Sequence, residues 1–198
     1  EAHTHEFVAT GQDDSKFGFT VSSGLAAAAV ERAATAGSVE LVGLHAHIGS
    51  QVFEVGPFSR AVEVLAGFAA PFGLPELSVG GGLGVPYVEG ESAPSLTEWA
   101  AGIHEVCEAA GVTARVSAEP GRAIVAAAAV TLYRVGTVKD LPGIRTYVAV
   151  DGGMSDNPRP VLYGSGYETL LPRAADAERP RAVRVVGKHC ESGDLLVR

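Results

Sequence analysis

The sequence predicts an α/β fold that passes into a β-rich segment. Up to residue 122, short apolar runs alternate with longer stretches whose apolar residues recur at helical spacing, the pattern of a parallel sheet covered by helices. The connections between them are short and rich in Gly, Pro and Ser. After residue 122 strand-like runs continue without a convincing helical period between them. A first domain over 1–122 and a second, β-rich domain over 123–198 are therefore expected.

Residues 2–9 alternate weakly and can form a strand with His3 and His5 on one face. Ser22-Ser23 offers an N-cap for a helix over 25–36 that Gly37 closes. Residues 41–48 read as a buried strand running into Gly49-Ser50. Pro57 suits the first turn of a second helix, along which Phe58, Val62, Leu65, Ala69 and Phe72 share a face. The strand 76–79 ends abruptly in Gly80-Gly81-Gly82-Leu83-Gly84. Ser95-Leu96-Thr97-Glu98 is a capping box opening a third helix, with Leu96, Trp99, Ile103, Val106 and Cys107 on its apolar face. Residues 114–118 then read as a strand that delivers Glu119. This alternation suits a half-turn of a barrel or part of an open sheet. Beyond it, 123–138, 145–150 and 182–186 are strand-like.

Bulk properties narrow the function. A chain of 198 residues with 46% apolar and 19% charged composition can bury a real core and is not of disordered type. Its net charge of -8 argues against a nucleic-acid or anionic-membrane surface, which needs clustered Lys and Arg. The longest apolar run, 123–133, is too short to span a bilayer, and the polar opening residues do not read as a secretory signal. Cys107 and Cys190 have neither disulfide-framework nor metal spacing, so a reducing cytoplasm is the expected compartment. Both ends read as cuts through a larger protein.

Glu119-Pro120-Gly121-Arg122 concentrates chemistry. Pro120 biases Glu119 toward extended geometry and Gly121 permits a turn, so a strand end presents an acid and the turn a base. A surface turn with an i,i+3 ion pair reads the same tetrapeptide. The glycines at 80–84, directly after a strand, let backbone N–H groups approach an anion; a plain flexible loop is the competing reading. The run is neither a P-loop nor a dinucleotide fingerprint. His47-Ile48-Gly49-Ser50 also follows a strand. Its imidazole can stack on a flat ring or exchange protons, and Ser50 can bind a phosphate; a buried, hydrogen-bonded His is the plainer alternative. His45 reads as structural.

A rival constellation pairs His3 and His5 with His45 and His47 as zinc ligands of a barrel hydrolase, although no carboxylate of obvious ligand geometry accompanies the second pair. Farther on, Asp151-Gly152-Gly153-Met154-Ser155-Asp156-Asn157-Pro158 leads to Arg159, which can fork onto a carboxylate, and to Tyr163, which can add a hydroxyl. A long exposed loop reads that stretch equally well. Gly187-Lys188-His189-Cys190-Glu191-Ser192-Gly193-Asp194 sets a thiol beside a carboxylate in a polar turn. Cys190 is the chemically suspicious cysteine, and Cys107 reads as inert core.

Taken in order, His47-Ile48-Gly49-Ser50-Gln51, Gly80-Gly81-Gly82-Leu83-Gly84, Glu119-Pro120-Gly121-Arg122, the 150–157 stretch and the Cys190 turn resemble the fold type III pyridoxal 5'-phosphate (PLP) decarboxylases, diaminopimelate decarboxylase in particular. The resemblance runs through nearly the whole chain. It implies the second half of a PLP-binding (β/α)8 barrel followed by the start of a β-rich C-terminal domain, and decarboxylation of meso-2,6-diaminopimelate to L-lysine. His47 would stack on the cofactor ring, Ser50, Gly80, Gly81 and Gly82 would lie at its phosphate, and Glu119 would pair with its pyridine nitrogen, with Pro120, Gly121 and Arg122 completing the cofactor shell. Arg122, Arg159 and Tyr163 would hold the distal amino-acid group. Cys190 would donate the proton and Glu191 would contact substrate, both serving the partner subunit's site in a homodimer. No metal is implied.

The same resemblance puts the Schiff-base lysine upstream of Glu1 and a late tyrosine beyond Arg198, since no motif around Lys16, Lys139 or Lys188, the last of them in the Cys190 turn, could replace that lysine. These 198 residues alone are thus expected to be inactive. The remaining alternatives are a related decarboxylase of ornithine, arginine or carboxynorspermidine, a non-catalytic binding homologue, and the zinc hydrolase.

Overall fold

The computed structural model describes residues 15–198; the strand expected over 2–9, with His3 and His5, lies outside the described residues. The chain divides into two units, whose described parts are residues 15–85 with 92–128, and residues 86–91 with 129–198.

The first unit is a strand–helix alternation. Helix α1 (Leu25–Thr35) starts at Gly24, whose left-handed backbone (φ 79°) turns the chain in without a side-chain cap. Ser22-Ser23 is therefore not the cap, and Ser23 Oγ donates to the Thr20 carbonyl instead, at 3.3 Å. Strand β1 (Gly43–His45) is shorter and less buried than the apolar run predicts. It forms the edge of a three-stranded parallel sheet, β1-β2-β3, with β2 (Glu76–Ser78) and β3 (Arg115–Ser117).

Helix α2 (Val55–Ala69) buries Pro57, Phe58, Val62, Leu65 and Ala66, and Phe72 falls in a following 3-10 turn. Helix α3 (Leu96–Ala109) opens on the expected capping box: Glu98 N–H donates to Ser95 Oγ at 3.1 Å, and Ser95 N–H to the Glu98 carboxylate at 2.8 Å. The Ser95 N–H, and after it the Ser95 hydroxyl donating at 2.8 Å, hold the Glu98 carboxyl below its ordinary pKa. The two helices meet where Phe58 and Trp99 pack edge to face, 5.6 Å between centroids, a geometry that adds about 0.5–1.5 kcal/mol to the burial itself. Their core also contains Val52, Val79, Leu83, Ile103 and Cys107, so it lies directly behind the glycine loop. Burial raises the Cys107 thiol pKa, which suits an inert core residue.

After Arg122 the strand expectation fails locally. Residues Gly121–Val125 form helix α4 and Ala126–Ala128 a 3-10 turn. Pro120 stands at its N-cap, its carbonyl accepting from the Ile124 N–H at 3.2 Å. Ala123 packs on the first core, and the alanines that follow favour helix over the β-branched preference of Ile124-Val125.

The second unit holds a four-stranded sheet in the order β4-β5-β6-β7: β4 (Val135–Leu141), β5 (Arg145–Val150), β6 (Val183–Val186) and β7 (Leu195–Val197). The β4–β5 and β6–β7 pairs are antiparallel and β5–β6 is parallel. Pro142-Gly143 makes the β4–β5 turn, Gly143 at φ 73° and Ile144 N–H bonded to the Leu141 carbonyl. Val150, Val185 and Leu196 form the core with Tyr133 and Val197 packed on it. A short helix the apolar pattern does not announce, α5 (Arg159–Tyr163), starts with Pro160 in its first turn.

Candidate active site

Ligands of α/β sheets collect at the carboxyl ends of strands. In the first unit the ends of β1, β2 and β3 carry His47, Gly80–Gly82 and Glu119, and the three loops are in direct contact. A Cβ added at Gly80, Gly81 or Gly82 would overlap the carbonyl oxygens of Ala46, Glu119 and Gly49 respectively. The absence of side chains thus lets three strand-end backbones close on one another. Leu83, 2% exposed, anchors this run in the core. The Val52–Leu83 bridge fastens it to the loop after β1, with Val52 N–H donating to the Gly82 carbonyl at 3.0 Å. The run is a packed scaffold and not a flexible loop.

Gln51, itself at φ 58°, adds a two-point clamp. Its amide nitrogen donates to the Val85 carbonyl at 3.1 Å and its oxygen accepts from the Val85 N–H at 2.9 Å. Gly81 N–H donates to His47 Nδ1 at 3.2 Å, so the neutral ring carries its hydrogen on Nε2. The Gly82 N–H makes no hydrogen bond to a described residue.

Glu119 is held by its backbone and by one oxygen. Its N–H donates to the Gly80 carbonyl at 2.7 Å, and its own carbonyl accepts from Gly121 N–H at 2.8 Å. Oε1 accepts from Ser78 Oγ at 3.0 Å and lies 3.4 Å from His45 Nε2. Oε2 has no partner among the described residues. The carboxylate pairs with Ser78 and His45 and not with Arg122, so the i,i+3 ion-pair reading does not hold. His45 accordingly has an acidic neighbour that its sequence context does not reveal. No group of three or more His, Cys, Asp or Glu among the described residues is arranged to hold a metal. Ser50 and Arg122 are half-buried, the latter on α4.

In the second unit the loop after β5 and the β6–β7 turn pack together. Lys188 N–H bonds the Gly152 carbonyl at 2.9 Å, and Ser155 Oγ and His189 Nε2 are 2.9 Å apart. The buried Asp194 carboxylate accepts from Met154 N–H at 2.6 Å and from His189 N–H at 2.8 Å. Cys190 and Glu191 are exposed on that turn. The Arg159 guanidinium lies over the Tyr163 ring at 5.2 Å, while its Nε is buried without a hydrogen-bond partner among the described residues. The Tyr133 ring packs against Gly152, and its phenol pKa is raised by burial and then by the nearby Asp156 and Asp151 charges.

Three contributors, Ser78, Gln51 and Asp194, are not singled out by sequence reasoning as site residues, and His45 reads there only as structural or as a zinc ligand. His45 carried a signal, since two residues before His47 on a strand it faces the same side. Ser78 and Asp194 meet partners 41 and 40 residues away, which pattern does not reveal.

The profile described as pyridoxal-dependent decarboxylase, pyridoxal binding domain, matches residues 1–126. The chain belongs to the pyridoxal-dependent decarboxylases. Among members of that family it is 46% identical to the diaminopimelate decarboxylase of Synechocystis sp., aligned over 100% of this chain and 44% of that protein. It is 45% identical to that of Mycobacterium bovis, over 100% and 48%. A crystallised mutant form of Helicobacter pylori diaminopimelate decarboxylase, complexed with L-lysine, superposes with a TM-score of 0.84 at 31% identity, covering 99% of this chain and 48% of that one. The chain thus spans about half the length of these decarboxylases. No helix among the described residues is long and apolar enough to cross a membrane.

Proposed function

We propose that residues 1–122 form the second half of a PLP-binding (β/α)8 barrel and 123–198 the start of a β-rich domain, in an enzyme that decarboxylates meso-2,6-diaminopimelate to L-lysine. The observation that carries this reading is Glu119. Its carboxylate stands at a strand end with Oε1 held by Ser78 and His45 and Oε2 uncommitted among the described residues. A basic ring nitrogen is the natural partner for such an oxygen. The neighbouring glycines fit the rest of the cofactor, because their bare backbones leave room and the Gly82 N–H is available to a phosphate oxygen.

PLP supplies, when bound, an electron-accepting ring whose protonated nitrogen stabilises the charge released with carbon dioxide. Glu119 holds the proton on that nitrogen. His47, oriented by Gly81 N–H, would pack against the ring. Gly80, Gly81, Gly82 and Ser50 receive the phosphate, while Pro120 and Gly121 shape the turn that sets Glu119 and Arg122. Arg122, Arg159 and Tyr163 hold the distal amino-acid group of the substrate. A guanidinium already oriented over a tyrosine ring loses less freedom on forking to a carboxylate. Cys190 delivers its Sγ–H proton to the substrate α-carbon, and Glu191 contacts the substrate ammonium. Both serve the partner subunit's site in a cytoplasmic homodimer.

The test uses the full-length protein. It is expected to purify with visible absorption that borohydride removes, and Arg159→Met is expected to lower kcat/KM on diaminopimelate about a hundredfold but far less on a substrate lacking the distal carboxylate. Equal losses on both substrates would point to an ornithine-, arginine- or carboxynorspermidine-type decarboxylase. Bound zinc without the absorption would favour a hydrolase, and neither signal a binding protein.

A further inference from the structure

A carboxylate removed from water needs hydrogen bonds to its charged form. Asp194, 2% exposed, takes them from two segments: Oδ1 accepts from Met154 N–H in the loop after β5, and Oδ2 from His189 N–H in the β6–β7 turn. Its backbone closes the same turn, the Asp194 carbonyl accepting from Gly187 N–H at 2.9 Å and its N–H donating to the Glu191 carbonyl at 3.0 Å. A Cβ at Gly153 or Gly187 would overlap the carboxylate, so both segments leave room for it. Cys190 and Glu191 are exposed, and among the described residues the Glu191 side chain bonds only within the turn, to Ser192 and Gly193. Where these two side chains stand is therefore set by how the turn is docked.

We propose that Asp194 is a positioning residue whose buried carboxylate clasps the turn bearing Cys190 and Glu191 onto the loop after β5. The effect on turnover rests on the roles given above to Cys190 and Glu191; the clasp does not. Asparagine at 194 would keep the shape but turn an NH2 group toward a backbone N–H, two donors facing each other. Glutamate would keep the charge but lacks space beside Gly153 and Gly187.

In the full-length protein, Asp194→Asn is expected to speed amide exchange of 153–155 and 188–190 roughly tenfold or more, with the amides of β5 and β6 unchanged. Iodoacetamide alkylation of Cys190 is expected to shift by at least about threefold as the thiol changes surroundings. The turnover number for diaminopimelate is expected to fall roughly tenfold to a hundredfold, and Asp194→Glu should not rescue it. Asp140→Asn, which disturbs a carboxylate bonded to Thr146 and Arg181 in the same unit, should leave the Cys190 alkylation rate and turnover within about twofold. Unchanged exchange and alkylation in Asp194→Asn would overturn the clasp. Altered exchange with wild-type turnover would overturn the positioning role. Altered exchange in a protein whose wild type releases no carbon dioxide would leave the clasp standing and remove the assigned reaction instead.

Discussion

Two glycine stretches follow strands in this chain, 80–84 after β2 and 152–153 after β5, and they are built on different principles. In the first, what comes closest to Gly80, Gly81 and Gly82 is backbone, the carbonyls of Ala46, Glu119 and Gly49, and a side chain, the Phe53 ring, is met at Gly84 beyond them. In the second it is side chains, the Tyr133 ring at Gly152 and the Asp194 carboxylate at Gly153. Parallel strands bring their ends together by sheet geometry, so a cradle made there is held by backbone, and here it leaves the Gly82 N–H without a hydrogen bond to a described residue. A loop tied down by side chains owes its position to particular partners, and can be loosened or repaired by changing them. A glycine after a strand marks a close approach; what approaches decides whether the place is a cradle or a clasp.

The largest expected effect lies at the cradle. In the full-length enzyme, Glu119→Ala should lower kcat by two to three orders of magnitude, about 3–4 kcal/mol, with little change in KM. Arg122→Ala should act mainly through KM, and steady-state kinetics separate the two. A matching KM effect for both would mean that their roles are not divided as proposed.

Next comes the contrast itself. Gly81→Ala places a methyl against a backbone carbonyl and should cost about 3 kcal/mol in denaturant unfolding, with no side-chain substitution able to restore it. Gly152→Ala meets the Tyr133 ring and should cost about 2 kcal/mol, partly recovered by adding Tyr133→Leu. Rescue of Gly81→Ala by trimming a neighbour, or failure of the Tyr133 rescue, would break the distinction.

The smallest effect lies outside both stretches. Ser95→Ala removes the cap of α3 and should cost about 1 kcal/mol. Because Glu98 titrates below its ordinary value of 4.5, its share of the cap is present above that value and lost as pH falls through the lower folded one. The difference between wild type and Ser95→Ala should therefore narrow in acid, as thermal melts at pH 7 and pH 3 would record.

Much of the first unit is legible in sequence because burying one helix face imposes a period. Phe58, Val62 and Leu65 on α2, and Trp99, Ile103 and Cys107 on α3, are buried where that period puts them. The glycines and the Glu119 turn are legible as chemistry, since few backbones need three consecutive glycines. Less legible is whatever depends on partners distant in sequence. The Ser78 and His45 contacts to Glu119 arise from strand order, and the Asp194 bonds from how two loops fold onto one sheet. Helix α4 is illegible for a local reason: Ile124-Val125 argues for strand, and the packing of Ala123, the alanines that follow and the Pro120 carbonyl bonded by Ile124 N–H tip the balance.

Carbon dioxide release by the full-length protein is the most direct measurement, with meso-2,6-diaminopimelate compared against L-ornithine and L-arginine at equal concentration and added PLP. The expected result is release from diaminopimelate, with L-lysine formed in equal amount and little from the other two. Release from ornithine or arginine in preference, or from none of the three by a folded protein, would contradict it.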